Sequence, residues 1–186
     1  MNMQNTPNNN HIVLKQDPVA LIQNLKSLAY TLKDALSDII DNSIKAKADK
    51  IWIYAPPDQT SISIIDNGYG MSKKILTEAM SVFNVDPRIL RSDEDLGRFG
   101  MGLKTASLSK CNKFTVASKN IDGETSALTF DVQYIEKNEL DDLVAINRRP
   151  EEIKDFDLIG KQGTLVLWEN LNIASGNEKT EINYES

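Results

Sequence analysis

The 186 residues carry 40% hydrophobic and 26% charged side chains, the balance of one soluble domain with enough apolar material to bury a core. The 21 Lys and Arg against 27 Asp and Glu leave a net charge of −6, which repels a phosphate backbone and argues against direct nucleic-acid binding by this domain. A single cysteine, Cys111, excludes an internal disulfide. It has no second Cys or nearby His with which to hold a metal, and it reads as a packed thiol.

The N-terminal residues 1–10 are Asn-rich and lack both the basic start and the apolar core of a signal peptide. No apolar run approaches membrane-spanning length. A cytoplasmic, reducing location without a membrane partner is the expectation. A flexible polar tail is expected over residues 1–16, and Asp17-Pro18 then offers an N-cap followed by proline at the first helical position. A helix over residues 18–28 follows. In residues 31–47 the apolar positions Leu32, Ala35, Leu36, Ile39, Ile40 and Ile44 recur at i, i+3, i+4, which predicts an amphipathic helix. Residues 51–54 and 61–65 read as a hairpin whose turn is marked by Pro56-Pro57. Asn67-Gly68-Tyr69-Gly70 breaks its second strand, and Ser72 can cap a helix reaching about Phe83. Residues 84–100 are polar, charged and punctuated by glycine, a mobile loop by composition.

Past the loop, residues 101–110 read as helix and residues 114–118, 126–134 and 164–168 as strands. A short helix is expected within 139–146. Helices and strands interleave but hairpins dominate, so the expected fold is an α/β (α+β) two-layer sandwich: a mixed, mostly antiparallel sheet with helices on one face. The domain is expected over 17–175, with 176–186 as a tail or the start of a further domain.

Three segments could carry chemistry. Asp38 and Asn42, at i and i+4, stack about 5–6 Å apart on one helix face, beside the edge of the apolar stripe. A carboxylate and an amide there could line a cleft, the amide oxygen ligating Mg2+ and the carboxylate orienting a water. Two solvated helix residues would look the same. Asp66, at a strand end, is followed by Gly68 and Gly70, which let the backbone turn while another molecule approaches closely; an ordinary Asp-Asn-Gly turn is the plainer reading. Gly97, Gly100 and Gly102 punctuate a loop that enters a helix, where exposed N–H groups, the helix dipole and Lys104 could hold phosphates. This is not a P-loop, since Leu103 separates Gly102 from Lys104 and residues 91–96 read by composition as a polar loop, not a strand. Nor does its glycine order fit a dinucleotide fingerprint.

Taken together and in this order, Asp38-Ile-Ile-Asp-Asn42, Asp66-Asn-Gly68-Tyr-Gly70 and Gly97-x-x-Gly100-x-Gly102 resemble the motifs of the GHKL ATPases. That superfamily includes the DNA gyrase B subunit, chaperones of the ninety-kilodalton class, sensor histidine kinases, MutL and the MORC ATPases. Gly163-Thr164, with Trp168 and Leu171, is spaced as in MORC-like and related bacterial proteins. The resemblance spans residues 18–171 and implies a Bergerat-type fold that binds ATP with Mg2+.

By that resemblance Asp66 accepts a hydrogen bond from the adenine amine, with Thr164 assisting through its hydroxyl. Asn42 ligates Mg2+, and the backbone of Gly97, Gly100 and Gly102 lines the phosphates, joined by Lys104. Gly68, Gly70, Met71, Met101 and Thr105 complete the nucleotide site, and residues 84–100 form an ATP lid. Asp38 is the candidate catalytic base. It stands where many hydrolysing members have Glu, one methylene longer, and a misplacement of about 1 Å can cost on the order of 100-fold in rate. Related bacterial sequences often carry an acid where this chain has Lys45. The resemblance further implies a slow ATPase whose nucleotide state controls lid closure and homodimerisation, with a downstream transducer-like domain as partner. The alternatives are a histidine or serine kinase catalytic domain, against which stands His11 as the only histidine, and a module that binds nucleotide without hydrolysing it.

Overall fold

The computed structural model describes residues 17–27, 30–57, 60–81 and 102–172. The expected tail over 1–16, the lid over 84–100 and the segment 176–186 lie outside the described residues.

Helix α1 (Pro18–Lys26) begins as expected, with the Asp17 carboxylate accepting from Val19 N at 2.8 Å and Pro18 in the first turn. Helix α2 (Leu32–Lys45) opens on a reciprocal cap: Thr31 Oγ1 accepts from Asp34 N while the Asp34 carboxylate accepts from Thr31 N. Strands β1 (Ile51–Tyr54) and β2 (Ser61–Asp66) pair antiparallel. Helix α3 (Lys73–Met80) is capped by Ser72, and α4 (Gly102–Lys110) leads into β3 (Cys111–Lys119) and β4 (Thr125–Asp131). A short helix α5 (Val132–Lys137), strand β5 (Ile146–Arg148) and strand β6 (Gly163–Leu171) complete the described elements, with two 3-10 turns, Pro150–Glu152 and Phe156–Leu158, between the last two strands.

The strands form one sheet in the order β1-β2-β6-β3-β4-β5, and every described pairing is antiparallel. Its two faces are read directly from strand alternation. Ile62, Ile64, Phe114, Val116, Leu128, Phe130, Val166 and Trp168 face the helical layer and pack with Ile22, Ala35, Ile39, Leu76 and Leu108. The intervening residues Ile65, Ala117, Ala127, Leu165 and Leu167 face the other way. The expected two-layer sandwich with helices on one face is therefore what the chain adopts. The second face is not left open: Ile153, Phe156 and Ile159 from the connection between β5 and β6 cover it. Ser63 Oγ donates to Asp155 Oδ2 at 2.6 Å, and Lys154 Nζ donates to Ser61 Oγ at 2.9 Å, tying that strap to β2.

Three expectations are corrected. The strand expected over 126–134 stops at Asp131, whose carboxylate accepts from Gln133 N and Tyr134 N and so starts α5. The helix expected within 139–146 is absent. The helical turn lies earlier, in α5, and Ile146–Arg148 instead adds an edge strand to β4. Ile44, assigned to the apolar stripe of α2, is 56% exposed, because the buried line of that helix runs Ala35, Ile39, Ser43. Cys111 is a packed thiol: burial pushes it up to about 12, and its Sγ donates to Ser107 O.

Candidate functional site

Asp66 is the last residue of β2 and faces the helical layer, 6% exposed. An isolated carboxylate buried this far would be costly, and three donors meet it. Ser43 Oγ reaches Oδ2 at 2.9 Å, while Gly68 N and Thr164 N reach Oδ1 at 2.8 and 3.3 Å. Burial raises its pKa, and these hydrogen bonds oppose the shift. Thr164 is its direct partner across the β2–β6 pair. Ser118 is in turn the partner of Thr164 across β6–β3, with the hydroxyls 3.0 Å apart. Ser118 Oγ also accepts from Met71 N at 2.8 Å and donates to Gly163 O at 2.9 Å.

The turn after Asp66 is bound to the same corner. Tyr69 N donates to Ala46 O at the end of α2, and the Asn67 amide oxygen accepts from Asp49 N and Lys50 N. Gly70 has φ +66, and a Cβ there would fall 2.0 Å from Lys119 O, so the turn closes against β3 only with glycine. Gly163 has φ +144 and lets Asp66 O approach where a Cβ would stand 2.0 Å away.

The other end of the site is built by α2 and α4. Trp168 Nε1 donates to Ser107 Oγ at 2.9 Å and anchors α4 over β6. This presents the start of α4 to α2: a Cβ built on Gly102 would lie 3.8 Å from Asp38 Oδ2. Asp38 is half-buried, and Asn42, one turn on, is exposed. Burial first, and then the charge of nearby Asp38, raise the Tyr30 pKa. Thr105 is buried in the first turns of α4. Lys104, expected beside the phosphates, is turned elsewhere. It is 3% exposed and donates to Ala79 O at 2.9 Å and Ser81 O at 2.6 Å, at the end of α3. Desolvation lowers its pKa to about 8. Gly97, Gly100 and Met101 lie outside the described residues.

The structure thus brings Asp66, Gly68, Gly70, Met71 and Thr164 into one corner, and sets Gly102 at the start of α4 beside Asp38 in the middle of α2, with Asn42 one turn further along that helix. Sequence reasoning missed Ser43, Ser118 and Tyr30. Ser43 had a signal: it continues the buried i, i+4 line after Ala35 and Ile39, a polar residue at a core position. Ser118 had a weaker one, the alternation that sets it on the face of Phe114 and Val116.

A family model described as histidine kinase-, DNA gyrase B- and HSP90-like ATPase matches residues 30–165, a span that runs from Tyr30 through both ends of this site to Leu165. The chain belongs to this family. It is an ATP-binding domain of the GHKL type, whose members bind ATP, generally with Mg2+. Among curated proteins no relative matches the chain. No described helix is long and apolar enough to cross a membrane.

Proposed function

We propose that this GHKL domain binds Mg-ATP with its base at Asp66 and its phosphates at the start of α4, and hydrolyses it slowly with Asp38 as general base. The observation that carries the reading is the approach of Gly102 to Asp38. It sets a helix N-terminus, which favours phosphate, against a carboxylate able to take a proton from water. At the far end of the cleft, Asp66 offers acceptor oxygens suited to the adenine amine, and Thr164 stands beside it. Met71 and Gly68 line the turn between, and Thr105 supports the phosphate helix from its buried side.

The oxygen chemistry at α2 suits Mg2+. Among the described residues no three His, Cys, Asp or Glu side chains gather as a metal cage, and Mg2+ is ordinarily held by few protein oxygens together with phosphate and water. The exposed Asn42 amide, with no side-chain hydrogen bond to the described residues, is the protein oxygen available to it. When bound, the ion supplies charge neutralisation at the phosphates. Lys104 joins the phosphates only by leaving two carbonyls, so its contribution belongs to a rearranged state. Gly97, Gly100 and Met101 complete the phosphate loop, and residues 84–100 act as the lid.

In this reading the domain is MORC-like, cytoplasmic, and homodimerises on binding ATP through a larger protein with a transducer-like partner domain. The spacing of Gly163-Thr164, Trp168 and Leu171 supports that kinship. The decisive experiment measures ATP binding and phosphate release in parallel on wild type and Asp38→Ala. Binding with Asp38-dependent release is the expected result; release that persists in the variant would remove Asp38 as the base. Binding without any release by wild type would instead leave a nucleotide-responsive module, a reading that the shorter Asp38 side chain makes credible.

A further inference from the structure

Four polar residues cross the helix-side face of the sheet in register: Asp66 on β2, Thr164 on β6, Ser118 on β3 and Ser126 on β4. All four are at least nine-tenths buried, so their protons can be assigned by counting. Directly opposed residues of an antiparallel pair project to the same face, and a hydroxyl has one proton and two lone pairs. Ser118 Oγ lies 2.9 Å from Gly163 O, a carbonyl with no proton to give, so the proton between them is that of Ser118. One Ser118 lone pair takes the Met71 N–H at 2.8 Å. What remains for the contact to Thr164, at 3.0 Å, is the second lone pair. Thr164 must therefore donate its own proton to Ser118. The fourth residue, Ser126, is buried with its Oγ unpartnered among the described residues, outside hydrogen-bond reach of Ser118.

We propose that Ser118 is a positioning residue for base selection: by taking the Thr164 proton it makes that hydroxyl a pure acceptor toward the nucleotide. The inference rests on the adenine-site reading above. The adjoining Asp66 carboxylate is also an acceptor and already receives protons from Ser43, Gly68 and Thr164 N. Such a corner presents acceptors alone, and it selects a purine by the protons of its exocyclic amine. A base lacking that amine leaves buried acceptors unpaired, which is the costly kind of mismatch.

The test compares the affinity of the full chain for ATP and for purine riboside triphosphate, which differs only in lacking the 6-amine. Wild type is expected to prefer ATP by roughly tenfold or more. In Ser118→Ala, Thr164 regains its proton and can offer it to the ring nitrogen that both bases share, so the preference falls by about three- to tenfold. A role limited to packing would weaken both nucleotides alike and leave the ratio unmoved; that outcome overturns the proposal. Thr164→Val is expected to lower the ratio by itself, and adding Ser118→Ala to it to change the ratio no further. An unchanged ratio in Thr164→Val overturns the proposal even if Ser118→Ala does not fold. Failure of wild type to bind ATP is a different result, because it removes the site reading and this inference together.

Discussion

The two ends of the proposed nucleotide site are built differently. At the base corner Asp66, Thr164 and Ser118 are buried, and each is held by hydrogen bonds from separate elements: α2, β3 and the turn after β2. At the proposed phosphate end Asp38 is half-buried and Asn42 exposed, while Lys104 is spent on the carbonyls that end α3. The first is tied by hydrogen bonds to the sheet; the second has groups still free of such partners among the described residues. In the proposed reading, a domain so divided would recognise its base through the fold and leave catalysis to rearrangement, which is how nucleotide state can be coupled to conformation.

Substitutions test this division in order of effect. Asp38→Ala should lower the rate of phosphate release by about 10²- to 10⁴-fold while ATP affinity stays within a few-fold; a parallel loss of affinity would mean that Asp38 shapes the site instead of acting in it. Asp66→Ala should weaken ATP roughly 10- to 100-fold with little change in the turnover of what is bound, measured by equilibrium titration. Because burial raises the Asp66 carboxyl, the affinity of wild type should begin to fall at a higher pH than an ordinary aspartate would give.

Lys104 sharpens the comparison through stability. The unfolded chain holds this proton up to the ordinary 10.5, whereas the native protein releases it at about 8. Between those values the unfolded state binds more protons, so this lysine makes stability rise with pH, by at most about 1.4 kcal/mol per unit. Urea unfolding across pH 8 to 10.5 should show that rise in wild type and lose this component in Lys104→Met. Equal slopes in the two proteins would place the Lys104 ammonium in contact with solvent. The smallest effect is expected from Ser43→Ala, which removes one of three donors to Asp66 and should weaken ATP about three- to tenfold without altering phosphate release per bound nucleotide.

Much of this site is local chemistry and could be read in advance. Asp17-Pro18 and Ser72 are caps that work within a few residues of themselves. Asp38 and Asn42 share a face because a helix repeats every 3.6 residues, and the glycines after Asp66 mark a turn wherever they occur. What escaped the sequence depended on partners far along the chain. Ile44 fits the helical stripe as well as Ile39 does, and only the place of α2 against the sheet decides that Ser43 is buried instead. The segment after Asp131 has the β-branched and aromatic residues of a strand, yet the Asp131 carboxylate captures two backbone N–H groups and turns it into α5. Nothing local to Lys104 marks which way it turns, and only the packing of α4 against the end of α3 commits it there.

The sequence by itself determined that this is a GHKL-type nucleotide domain, because the spacing of Asp38 and Asn42, of Asp66 and Gly70, and of the glycines ending at Gly102 is a property of order along the chain. The tertiary structure alone decided which groups are buried beside Asp66, where Lys104 points, and which way the Thr164 proton lies. Those depend on strand register and on helices docking across the sheet, contacts such as Ser43 to Asp66 and Ser118 to Thr164 that join residues distant in sequence. Hydrogen bonds have direction and a fixed supply of protons, and that supply is settled only when all the partners have been brought together.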